Sequence, residues 1–264
     1  MALQQKKNNY PKKIKLNKKV LYKNKIKIKN LLTSIFKELK KNEKNEKDFY
    51  GKYLYPESNL SYYLQWKILS KISIKDLIIK TGLDEYIKKN ISNKYYIYSM
   101  IFLRYHVKSK NINNYLYKNS LHFDNYNNLK THTFWIPFSD INLLTGGLIF
   151  RTKLDKNFKN KFIKIGKFKN QNIYQTKCNF GEAFTFNNSL LHTSNQPKSN
   201  YERISIDIRV VDQRNIKEKK LKRFNKNYYN KRGVFRPNKL LSLNKIDKEV
   251  KKFKSVIQNS LLGT

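Results

Sequence analysis

The chain has 264 residues, a formal net charge of +39 at pH 7 and a single cysteine, Cys178. One cysteine excludes a disulfide-bonded scaffold. A hydrophobic content of 39%, with 14% aromatic residues, excludes disorder throughout. We therefore expect one folded domain with extensions.

The positive charge is weak evidence for a nucleic-acid partner. Of 57 lysines and arginines, only eight are arginine, the residue whose planar fork reads phosphates and bases. An excess of lysine, together with many Asn, Ile and Tyr residues, is typical of the surface composition that an AT-rich genome encodes. A nucleic-acid partner is an alternative that the charge alone does not favour.

The sequence contains no run of about 18 apolar residues, the length that a membrane-spanning helix needs. Residues 1–30 lack the continuous apolar stretch of a secretory signal. We expect a soluble, cytoplasmic protein.

Residues 1–50 form a basic N-terminal extension with one predicted helix. Up to about residue 26 the composition favours a solvated tail. Apolar residues then recur at helical spacing. They are Leu32, Ile35, Phe36 and Leu39.

Residues 51–213 comprise a helical lead-in and a predicted β domain. Ser73 with Asp76 three residues later resembles a capping box, and Gly82 ends that helix. From Tyr95 to Asp212, short aromatic and β-branched runs alternate with turn residues. Such spacing predicts an α+β protein with a jelly-roll core. Residues 214–264 form a basic C-terminal extension, whose amphipathic helix is predicted from Ile246, Val250, Phe253, Ile257 and Leu261.

Three residues can form a metal site. In an extended segment, His122 and Asp124 leave the same face of the chain, and His192 lies in a second strand-like segment. Two imidazoles and one carboxylate make the facial triad of non-haem Fe(II) oxygenases, which leaves ligand positions open for a co-substrate and O2.

The segment RISIDIRVV gives the metal hypothesis its context. Its alternation predicts three isoleucines on one face and Arg203, Ser205, Asp207 and Arg209 on the other. Because an unpaired buried charge is costly, two inward arginines indicate an anionic partner such as a dicarboxylate.

These motifs together resemble the Fe(II)/2-oxoglutarate-dependent oxygenases of the phytanoyl-CoA dioxygenase-like type. The shared features are His122-x-Asp124, the segment THTFWIPFSDINLLTGGLIF, the segment GEAFTF before His192, and an arginine eleven residues after that histidine. The resemblance covers about residues 98–213. It implies a double-stranded β-helix core, related to the jelly roll and the cupins, and hydroxylation coupled to conversion of 2-oxoglutarate and O2 to succinate and CO2.

The resemblance also implies residue roles. His122, Asp124 and His192 would hold Fe(II), and Arg203 would bind 2-oxoglutarate with help from Ser205 and Ser194. The remaining candidates line the pocket. Arg209 would bind substrate or co-substrate, or else pair with an acid. Trp135, Thr133 and Asn125 would line the substrate pocket, although a core role fits Trp135 better.

The sequence departs from the phytanoyl-type pattern after GGLIF, where it reads RTKLDKNF without the Gly-Ser-His segment that often follows. An acyl-CoA substrate is therefore not implied, and we expect a small-molecule substrate. Two alternatives stay open: a 2-oxoglutarate oxygenase directed at nucleic acid or the ribosome, and a non-catalytic jelly-roll binding module.

Overall fold

A computed structural model describes residues 10–40, 59–107, 120–124, 129–151, 162–164, 173–195, 197, 201–216, 228–229 and 235–253. The helices in these ranges are α1 Lys18–Lys40, α2 Asn59–Leu69, α3 Ile74–Lys80, α4 Leu83–Asn90 and the described part of α5, 246–253. The strands are β1 Lys12–Lys15, β2 Tyr95–Tyr98, β3 Phe102–Val107, β4 Ser120–His122, β5 Thr131–Pro137, β6 Leu148–Arg151, β7 Phe162–Lys164, β8 Ile173–Gln175, β9 Glu182–Asn187, β10 His192–Ser194, β11 Glu202–Asp212, β12 Tyr228–Tyr229, β13 Phe235–Arg236 and β14 Leu240–Leu241.

The strands form two larger antiparallel sheets and a separate two-stranded sheet, and together with the helices they make the protein an α+β structure. The seven-stranded sheet has the order β1-β9-β5-β11-β2-β14, and β3 also pairs with β11. The five-stranded sheet has the order β7-β4-β10-β6-β8, and β12 pairs with β13. Strand β11 is the centre of the larger sheet, since β5 covers one of its edges and β2 and β3 share the other.

The two faces of β11 have opposite character, as its alternation predicts. Ile204, Ile206 and Ile208 belong to the core that the helices share with the outer face of the large sheet. Arg203 and Arg209 lie on the inner face and contact residues of the other sheet's connections and strands. The strand therefore carries a hydrophobic outer layer and a charged inner row.

The inner faces of the two sheets enclose a second apolar cluster. Phe186 of β9 packs edge-on against Phe150 of β6, with ring centroids 4.8 Å apart, and against His192 of β10 at the same separation. Trp135 of β5 and Phe184 of β9 complete the large-sheet side of this cluster. These contacts place the sheets face to face with β10 close to the apolar wall.

The helices join the outer core. The fully buried ring of Trp66 packs edge-on against Phe253 of α5 at 5.1 Å, and Asp247 of α5 accepts hydrogen bonds from the Ser73 hydroxyl and the Ile74 amide. Ser73 also accepts from the Asp76 amide, which confirms it as the N-cap of α3. Gly82 ends that helix in a left-handed conformation with φ 81°.

The expectation of a solvated tail over residues 1–26 was wrong for its second half. Residues Lys12–Lys15 form β1, which pairs with β9, and α1 begins at Lys18. Ile14 and Leu21 are buried, so sparse apolar residues between lysines suffice to anchor this segment. Ile257 and Leu261, predicted for the last helix, lie outside the described residues. Within the described ranges, every helix is too short or too polar to cross a bilayer.

Shortening a buried side chain of β11 should destabilise the scaffold that positions its inner row. Ile208 is fully buried beside Phe134 of β5, so Ile208→Ala should lower the free energy of unfolding by about 2–5 kcal/mol. The matched change Ile79→Ala, at a side chain that is 43% exposed, should cost under about 1 kcal/mol. Denaturant titration followed by circular dichroism measures both; equal losses would contradict the assignment of β11 to the core.

Candidate metal centre

The candidate ligands His122, Asp124 and His192 come together between the sheets. Strands β4 and β10 are neighbours, with His122 directly opposite His192 in the register, and the two imidazole centroids are 4.7 Å apart. Asp124 follows β4 by two residues. One ligand atom from each of the three residues falls within 4.8 Å of the others, so a single ion can reach all three after small side-chain rotations.

The ring of His192 is oriented by the backbone. Its Nδ1 lies 3.0 Å from the carbonyl oxygen of Leu190. A carbonyl only accepts, so Nδ1 donates to it, and the neutral ring then presents its lone pair at Nε2. Nε2 lies 3.9 Å from Oδ1 of Asp124. This tautomer is the one that metal coordination through Nε2 requires.

Arg209 and Thr133 hold the Asp124 carboxylate through its Oδ2. Its Oδ2 accepts from Nε and Nη2 of Arg209 at 3.3 and 3.2 Å and from Oγ1 of Thr133 at 3.3 Å. Burial alone would raise the pKa of Asp124, but Arg209 and the two histidines outweigh it and hold that pKa well below its usual range. The carboxylate is therefore ionised at neutral pH, and Oδ1 faces His192.

Arg203 and Ser205 form a second polar cluster on the inner face of β11, nearer the start of the strand than Arg209. Arg203 is 1% exposed; its Nη1 donates to the carbonyl of Asn195 at 2.7 Å and its Nη2 to the Ser194 hydroxyl at 2.6 Å. Its guanidinium carbon lies 5.8 Å from the Trp135 ring. Ser205, two residues along the strand, is fully buried, and its hydroxyl has no hydrogen-bond partner among the described residues.

The other predicted pocket residues are distributed as follows. Arg209 pairs with an acid, the second of the two roles that the sequence leaves open for it. Trp135 is 3% exposed and packs in the cluster between the sheets. Thr133 contacts the candidate ligand Asp124 directly. Asn125 lies outside the described residues.

Two inner-face positions on β3 were not among the predicted site residues. His106 pairs in register with Arg203, and Arg104 pairs with Ser205; His106 is 7% exposed. The signal was present in the sequence, since alternation in FLRYHV places Phe102, Arg104 and His106 on one face. Its location beside β11, however, follows from strand pairing that the sequence does not specify.

Comparison with known proteins supports the architecture. No protein-family model and no curated protein sequence matches the chain. Among solved structures it is similar to the apo form of the non-heme monooxygenase ThoJ, with a TM-score of 0.56, 10% identity and coverage of 97% of this chain and 98% of that one. The ThoJ–Ni complex gives a TM-score of 0.52 at 10% identity, covering 96% and 97%. The chain therefore shares the fold of this monooxygenase over nearly its full length.

Loss of His192 should abolish metal binding without unfolding the protein. We expect His192→Ala to eliminate binding of Co(II), measured by calorimetry and by the ligand-field absorption of the ion under anaerobic conditions, because one of three ligands is removed. The control is His132→Ala on β5, a histidine outside the cluster. Co(II) binding retained by the His192 variant, or lost in the His132 variant, would contradict the site.

Arg209 should contribute to metal affinity without contacting the ion. Replacing it by Met keeps the aliphatic bulk but frees Oδ2 of Asp124, and outer-shell changes of this kind typically weaken metal binding about 10–100-fold. Arg214→Met, at a surface arginine whose side chain is 75% exposed, should leave the Co(II) dissociation constant unchanged. If the Arg209 variant is folded by circular dichroism and its Co(II) dissociation constant is unaltered, the Arg209–Asp124 pair stabilises the fold but does not contribute to metal affinity.

Proposed function

We propose that the protein is a non-haem Fe(II)/2-oxoglutarate-dependent dioxygenase that hydroxylates a small molecule. One observation carries the proposal: a two-histidine, one-carboxylate set and a buried arginine lie on the inner faces of the same pair of sheets. On this proposal the two sheets form a double-stranded β-helix, with β4 and β10 supplying the iron ligands and β11 supplying the anion-binding arginine.

The donor set fits Fe(II). His122, Asp124 and His192 would hold it, since two imidazoles and one carboxylate are its ligands in the facial-triad oxygenases and leave room for exchangeable ligands. The Nε2 of His192 and the Oδ1 of Asp124 already face each other at 3.9 Å before any ion binds. The likeness to ThoJ supports this reading, because one ThoJ structure is a nickel complex.

The region around Arg203 fits the distal carboxylate of 2-oxoglutarate. Ser194 and Asn195 hold the guanidinium on the inner face, and charge-assisted bonds from arginine to a carboxylate are strong and directional. The unsatisfied Ser205 hydroxyl on the same face supplies a further donor. A buried hydroxyl without a partner is costly, and a bound carboxylate would satisfy it.

The chain's own residues prepare the site rather than supply the oxidant. Bound iron, with 2-oxoglutarate, would supply the activation of O2 and the cleavage of a substrate C–H bond. The residues keep Asp124 ionised, fix the tautomer of His192 and line the centre with the rings of Phe150 and Phe186. This aromatic wall excludes water, and exclusion of water protects the substrate reaction from side reactions.

Within this class we propose membership of the phytanoyl-CoA dioxygenase-like branch, on the motif order from His122 to Arg203. The substrate is proposed to be a small polar metabolite, because the segment after GGLIF lacks the phytanoyl-type Gly-Ser-His sequence. The roles of Trp135 as a pocket wall and of Ser194 as a co-substrate neighbour belong to the same proposal.

The function is tested by anaerobic titration of the protein with Fe(II) and 2-oxoglutarate. The wild type should develop the visible charge-transfer band of the chelated complex, and His122→Ala and His192→Ala should not. Arg203→Met should weaken 2-oxoglutarate binding by at least tenfold, since a charged partner of the carboxylate is lost, while the surface change Arg214→Met has no effect. Absence of the band in folded wild-type protein would favour the non-catalytic binding module.

A further inference from the structure

A buried carboxylate that the proposed chemistry does not use lies on the inner face of β11. Asp207 stands between Ser205 and Arg209 on the alternating row, and it is 9% exposed. Its Oδ2 receives one hydrogen bond, from Nε of Arg104 at 3.4 Å. Its Oδ1 is shielded from solvent and has no hydrogen-bond partner in the described part of the chain.

This carboxylate adjoins the candidate metal centre. The Phe102 ring, opposite Asp207 in the register of β3 and β11, lies 4.1 Å from the guanidinium carbon of Arg104 and 5.1 Å from that of Arg209. Arg209 in turn holds the candidate ligand Asp124. A chain of contacts therefore leads from Asp124 to Arg209, from Arg209 across the Phe102 ring to Arg104, and from Arg104 to Asp207.

The contact between Arg104 and Asp207 is not that of a structural ion pair built for stability. Arginine and carboxylate reach their strongest pairing through two parallel bonds, whereas this pair makes one long contact. The Asp212–Arg214 pair in the same strand region shows the alternative, with contacts of 2.7–3.1 Å to both carboxylate oxygens. Burial raises the pKa of Asp207 although Arg104 and Arg209 oppose it, whereas the Arg214 bonds lower the pKa of Asp212.

We infer that Asp207, screened by the side chain of Arg104, is a substrate-recognition group that accepts a hydrogen bond from an amine or hydroxyl of the molecule to be oxidised. This inference rests on the proposed function. The Arg104 side chain, which is 30% exposed, also lies against the Phe102 ring. It contacts Asp207 through Oδ2 at 3.4 Å, so Oδ1 is the oxygen that remains to accept from a substrate donor. An unsatisfied acceptor beside the metal centre selects a substrate with a donor, because a substrate without one leaves that oxygen unpaired.

The first test needs no ligand. It measures how much the buried carboxylate of Asp207 lowers the free energy of unfolding. A carboxyl whose pKa is raised on folding is destabilising once ionised, since the unfolded chain ionises it more easily. Asp207→Asn should therefore unfold at a higher denaturant concentration than the wild type at neutral pH, and the matched Asp212→Asn should unfold at a lower one. An Asp207 variant that is destabilised like the Asp212 variant would make Asp207 a structural partner of Arg104 and overturn the inference.

The second test measures recognition. Protein loaded with Fe(II) and 2-oxoglutarate is assayed for succinate formation with amino acids, amino sugars and polyols, each beside its analogue without the amine or hydroxyl. Stimulation should require the donor, and Asp207→Asn should lower kcat/KM for the stimulating compound at least tenfold while the affinity for 2-oxoglutarate is unchanged.

The outcomes separate the two proposals. Equal stimulation by the analogues, or no stimulation by any donor-bearing compound in protein that shows the charge-transfer band, would overturn the role of Asp207 alone. Absence of the band in the wild type would overturn the proposed function, and the substrate role of Asp207 with it.

Discussion

The ion pair between Asp124 and Arg209 is the interaction on which the site depends. Asp124 follows β4 of the small sheet, whereas Arg209 lies on β11 at the centre of the large one. Both side chains are about 95% buried, so each charge needs the other: removing one partner of a buried pair leaves an uncompensated charge, which costs several kcal/mol. The pair fixes the spacing of the two sheets at this point and determines which carboxylate oxygen faces the histidines.

The remaining charges of the inner face follow from this arrangement. With Arg209 committed to Asp124, the row on β11 retains Arg203 at one end and Asp207 in the middle. Ser194, the last residue of β10, and Asn195, which follows it, hold Arg203, so the small sheet orients Arg203 as well as two of the candidate ligands. Hydrophobic packing supplies rigidity on the other side of the strand, where Ile204, Ile206 and Ile208 are anchored in the helix-covered core.

Much of this architecture could be predicted from the sequence because it depends on local periodicity. The alternation in RISIDIRVV separates the two faces of β11, and the Ser73 cap and the strand runs between Tyr95 and Asp212 are local signals that the structure reproduces. Local periodicity does not predict that His122 and His192 lie together, since this requires β4 and β10 to be neighbours. That pairing was available only through the resemblance to a known family, and it is now seen directly in the register.

What the sequence did not disclose are contacts that depend on long-range pairing and on exact side-chain geometry. Strand β1 was missed because its lysines alternate around few apolar residues, and its stability comes from β9 rather than from its own propensity. Likewise, alternation places Arg209 and Asp207 on one face, but it does not state which acid Arg209 pairs with. The structure resolves this asymmetry: of the two carboxylates near Arg209, Asp124 is fully bonded on one oxygen and Asp207 is left with one oxygen unsatisfied. Natural sequences keep such local conflicts mainly at functional sites, where the cost in stability is offset by binding or catalysis.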